Sequence, residues 1–85
     1  MVGIAEQPSD DQLWLLLDIP HPWLVRTDSR LLRPQRSLRE ALWQARDTIA
    51  EGVAVRCIMK LPEGEITIEP LQARRLMLRL SRRRE

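Results

Sequence analysis

Apolar positions along the chain change period several times, and each change marks a predicted element. The clearest helical pattern covers 37–51, where Leu38, Ala41, Leu42, Ala45 and Ile49 fall on one face. Ser37 and Glu40 form an S-x-x-E capping box at its start, and Gly52 supplies a C-cap residue that enters the left-handed region without steric cost. The period then drops to two. Val53, Val55, Cys57, Met59 and Leu61 share one face of a predicted strand over 53–61, with Ala54, Arg56, Ile58 and Lys60 on the other. Pro62, Glu63, Gly64 and Glu65 are turn residues, and Ile66–Glu69 reads as the return strand of a hairpin.

Pro70 suits the first position of a last helix, because its missing N–H has no partner to lose there. Ala73, Leu76, Met77 and Leu80 form the apolar face of that helix, although Leu76, Leu78 and Leu80 also alternate as a strand would. Near the start, Trp23–Thr27 is aromatic and β-branched and reads as a strand. The short apolar run before it is ambiguous. Ser9, Asp10, Asp11 and Gln12 resemble a capped helix start, while Pro20 and Pro22 limit any helix to a few turns. Pairing with Trp23–Thr27 across a proline-containing loop favours a strand at 12–17, with a short helix as the alternative.

The expected fold is therefore α+β, a single small domain of order ββαββα, with one helix packed on a mainly antiparallel sheet and a C-terminal helix. Residues 1–10 read as a flexible start, 11–81 as the domain, and 82–85 as a basic tail. The element order, a second strand led by Trp23 and a capped helix ending at Gly52 resemble several small bacterial domains with a ββα-ββ layout. That likeness implies a fold and transfers no function.

Charge sharpens the picture more than composition does. Residues 1–18 carry −4, residues 26–46 carry +4, residues 47–69 carry −3 and residues 70–85 carry +5. Such blocks either pair with one another in the fold or leave a basic patch for a polyanion. Thirteen of the cationic residues are arginine, and Lys60 is the only lysine. The longest apolar run near the start, Leu13–Leu17, is too short for a signal core or a membrane span, so a cytoplasmic location is expected.

Candidate chemistry is sparse. His21 sits between two prolines, and Cys57 falls on the predicted buried face of a strand, so neither a metal site nor a nucleophile with its base is expected. Glu63 and Glu65 fall on a predicted solvated hairpin tip and not in the cleft that paired catalytic carboxylates need. Glycines at 3, 52 and 64 cannot make a phosphate-binding loop, and no cofactor is expected.

Two features stand out from this background. Trp43 lies about 100° from Leu42 on the helical wheel, off the apolar stripe, with Arg39 and Arg46 one turn to either side. This set is either a local cation–π cluster or an interaction surface. Arg74, Arg75, Arg79, Arg82, Arg83 and Arg84 make the C-terminal segment a candidate polyanion site. The reading favoured by these features is a non-enzymatic protein-interaction or self-associating module, a homodimer formed through the Ala54 and Ile58 sheet face being one form of it. The alternative is a nucleic-acid-binding accessory protein that uses the arginine-rich end.

Overall fold

The computed structural model describes residues 8–83, with an α+β fold of the expected class. The expectation for the N-terminal segment is overturned outright. Asp10–Leu15 form a helix, α1, and not a strand. The Ser9 hydroxyl accepts from the Gln12 N–H, and the Gln12 side chain accepts from the Ser9 N–H, closing the capping box at both ends. Asp10 and Asp11 in the first turn complement the helix dipole. Six residues complete the helix well before Pro20, so the prolines never oppose it. Its buried side, Leu13 with Leu17 one turn on, enters the core. The flexible start expected for residues 1–10 lies mostly outside the described residues, and its last three positions are the helix entry.

Among the described residues, strand β1, Leu24–Arg26, therefore has no hairpin partner upstream. One of its edges pairs with strand β2, Arg56–Leu61, and the other meets the segment after it. Trp23 and Gln35 exchange backbone hydrogen bonds of 2.8 Å, and the Leu32 N–H donates to the Val25 carbonyl at 2.8 Å. Nothing in the alternation of residues 30–36 signals this return.

The helix expected over 37–51 is two helices, α2 at Leu38–Gln44 and α3 at Arg46–Ala50. Ser37 caps the first through the Glu40 N–H. The break falls at Ala45, whose backbone sits at φ −92°, ψ 2°, and whose small side chain is wholly buried. The Trp43 carbonyl at this break accepts a hydrogen bond of 2.8 Å from Arg46 Nη1. Gly52 follows α3 at φ +88°, the left-handed position its sequence place predicts.

Strand β2 starts three residues later than expected. Val53 donates its N–H to the Thr48 carbonyl to finish the turn after α3, and its side chain is exposed instead of facing the core. The hairpin is present, with a tighter turn than expected: β3 runs Gly64–Ile68, so Gly64 and Glu65 pair with Leu61 and Lys60 instead of forming the turn, and helix α4 runs Pro70–Arg83. Among the described residues the sheet has three antiparallel strands in the order β1-β2-β3. Its register aligns Val25, Cys57 and Ile68 in one buried row and Leu24, Ile58 and Thr67 in a half-buried row on the other face. Helices α2 and α4 pack on the first face. Trp23, Leu38, Leu42, Leu76 and Leu80 join the buried row to make the core.

Candidate interaction surface

Helix α4 organises the surface because its charged residues leave it on two opposite flanks. On the α1 flank, Asp10 accepts hydrogen bonds from Arg75 Nε at 2.8 Å, Arg75 Nη2 at 3.1 Å and Gln72 Nε2 at 2.9 Å. Gln72 is itself buried and also donates to the Pro8 carbonyl at 2.8 Å. One helical turn further on, Arg79 Nη1 meets Asp11 at 3.0 Å, and its guanidinium lies 4.4 Å from the centre of the Trp14 ring. Two of the six candidate polyanion-binding arginines, Arg75 and Arg79, are thus already matched to carboxylates. The Arg75 hydrogen bond holds the Asp10 carboxyl below its usual range, against a smaller opposing desolvation.

The second flank differs. Arg74, on the α3 side, and Arg82, which follows Arg75 by seven residues and shares its ridge, are both exposed and have no carboxylate partner among the described residues. Arg83 ends α4, and Arg84 lies outside the described residues. Between α3 and α4 runs an open groove of about 430 Å³, lined by the apolar Ile49, Ala50, Met77 and Leu78 and by the charged Arg46, Asp47 and Arg74. Leu71 and Leu78, both off the buried stripe of α4, are 72% and 48% exposed.

The three residues singled out around Trp43 are brought together only in part. The Arg46 guanidinium stacks 4.5 Å from the Trp43 ring centre, the local cluster expected from the sequence, and reaches Asp47 at 3.9 Å. Arg39 turns away and grips Asp18 with two hydrogen bonds of 2.6 and 2.9 Å. That pair lowers the Asp18 pKa and raises that of Arg39, in each case mainly through the hydrogen bond. Trp43 is half-buried. With Arg36, Arg39, Glu40, Gln44 and Leu80 it lines a second cleft of about 240 Å³ between α2 and α4.

Other candidates fall elsewhere. Cys57 is wholly buried, and desolvation pushes its thiol up to about 12, so it stays protonated at neutral pH. The His21 ring nitrogen Nδ1 lies 2.9 Å from the Pro22 carbonyl in the loop before β1. Among the described residues no three of His, Cys, Asp and Glu cluster as metal ligands. None of the helices is long and apolar enough to cross a membrane, again among the described residues. On the outer sheet face Ile58 is half-buried, Ala54 lies before β2 instead of on that face and is half-buried too, and Arg56 is tied to Glu69 at 3.1 Å and Asp28 at 3.8 Å.

Sequence reasoning missed the groove and the pairing of Trp14 with Arg79. The signal for the groove was present: Leu71 and Leu78 are seven residues apart and both lie off the Ala73–Leu76–Leu80 face. Comparison with protein-family models, curated proteins and solved structures finds no match.

Proposed function

We propose that the protein is a non-enzymatic protein-interaction module that meets its partner through the face built by α2, α3 and the outer side of α4. The observation that carries this reading is the meeting of an apolar groove with a half-buried Trp43 under the Arg46 guanidinium, beside Arg74, which has no carboxylate partner among the described residues. Tryptophan and arginine beside an apolar pocket are the composition of interface hot spots. A photo-reactive amino acid placed at 43 or 78 is expected to cross-link one protein partner in cells. The same group at Glu63, on the hairpin tip, is not. Equal capture from all three positions, or none from 43 and 78, overturns the reading.

Nucleic-acid binding is the second reading, favoured by the unpaired state of Arg26, Arg30, Arg33, Arg74 and Arg82 among the described residues. Against it, Arg75 and Arg79 are already engaged by Asp10 and Asp11. Anisotropy with labelled DNA and RNA across a salt series tests it, using charge-reversed point variants. Removing α4 is unsuitable, since Leu76 and Leu80 belong to the core.

A further inference from the structure

Resting on the interaction-module reading, we propose that the outer ridge of α4 and its groove against α3 receive an acidic amphipathic helix of a partner protein. Leu71 and Leu78 stand two helical turns apart on one ridge of α4, 72% and 48% exposed, while the opposite side of the helix is buried. Beside Leu78 the groove continues as apolar surface through Met77, Ile49 and Ala50. Arg74 and Arg46 border it. Arg74 has no carboxylate partner among the described residues, whereas Arg46 stacks on Trp43, donates to its carbonyl and approaches Asp47 at 3.9 Å, leaving Arg74 as the cation open to a partner. Leucines at heptad spacing, flanked by cations, match the apolar stripe and acidic margins of a helix laid into a groove.

The other flank of α4 already holds such a helix. Helix α1 is short and acidic, buries Leu13, and sets Asp10 and Asp11 on Arg75 and Arg79. The proposed partner repeats that arrangement on the α3 side, where Arg74 has no carboxylate partner among the described residues.

Charge also selects among the possible occupants. A second copy bound about a twofold axis would place this ridge against itself, facing Arg74 with the same residue. An anionic membrane would need a broad apolar face, and the broad face of α4 is spent in the core. A nucleic acid would use the arginines and leave Leu71 and Leu78 without a role.

The test is fluorescence anisotropy on the full chain. The probe is a labelled peptide with leucine at heptad a and d positions and glutamate and alanine elsewhere. Saturable binding is expected. Arg74→Glu should weaken it about tenfold and Leu78→Gln by a few-fold, with circular dichroism unchanged in both. A peptide with serine for leucine should lose most of the affinity, and one with lysine for glutamate should bind Arg74→Glu better than the wild-type chain. The proposal is overturned by absence of saturable binding, by equal binding of the serine peptide, or by indifference to Leu78→Gln. A DNA oligonucleotide that binds more tightly than the peptide, with Arg74→Glu weakening it and Leu78→Gln not, also overturns it. Failure with the peptide alongside a site-dependent protein cross-link at 43 or 78 removes this partner class and leaves the interaction-module reading standing.

Discussion

The two flanks of α4 are built from the same residue type and serve opposite ends. Towards α1, Arg75 and Arg79 meet carboxylates at 2.8 and 3.0 Å, above a core that includes Leu13 and Leu17. Towards α3, Arg74 has no carboxylate partner among the described residues, and Leu78 is open to solvent. Net charge therefore says little about what the basic end of the chain does. What distinguishes structural arginines from available ones is whether an acidic block returns to them in space.

The largest effect should come from breaking the closed flank at its apolar centre. Leu13→Ala removes a wholly buried side chain and should cost about 2–5 kcal/mol in denaturant unfolding. Leu78→Ala, on the open flank, should cost less than about 1 kcal/mol in the same measurement. Equal losses would erase the distinction between the flanks.

Acid should sharpen the comparison next. Asp10 and Asp18 have folded pKa values below the unfolded value of 3.8, held there chiefly by hydrogen bonds from Arg75 and Arg39. A depressed carboxylate contributes stability above its unfolded pKa and loses it as pH falls through the folded value. These two groups should accordingly give melting temperature no pH dependence near neutrality, and their contribution should be lost as pH falls below about 4. Asp10→Asn should be less stable at neutral pH and show a shallower acid decline than the wild type. An acid limb unchanged by the substitution would mean that the α1 clasp contributes nothing.

The smallest effect should be Arg74→Ala, which removes an arginine with no carboxylate partner among the described residues and should leave stability within about 0.5 kcal/mol. A clear loss would show Arg74 to be structural after all. Arg75→Ala in parallel should be the more destabilising of the two.

Legibility from sequence followed how local each decision is. The β2–β3 hairpin, the Ser37 cap, Gly52 and the start of α4 at Pro70 are set by neighbours a few residues apart, and all were readable. Helix α1 was misjudged because its apolar run is too short to show a period, and the prolines were weighed above the Ser9–Gln12 box. The return of residues 30–36 along β1 depends on backbone pairing, which leaves no alternating pattern in Leu31–Gln35. The same limit applies to the surface. Arg46 on Trp43 is a contact between residues three apart and was foreseen, whereas Arg39–Asp18 and Arg75–Asp10 join distant segments that only the fold brings together.

The clasp between α1 and α4 also bears on the time course of folding. Asp10 and Arg75 are 65 residues apart in sequence, so their meeting closes nearly the whole described chain into one loop. The β2–β3 hairpin needs only its own short turn and can form first. If the clasp closes after the rate-limiting barrier, its loss should steepen escape from the native state while leaving the approach to it almost unchanged. In a chevron plot, Asp10→Asn should then raise the unfolding limb and spare the refolding limb, making the first helix a kinetic latch on the last.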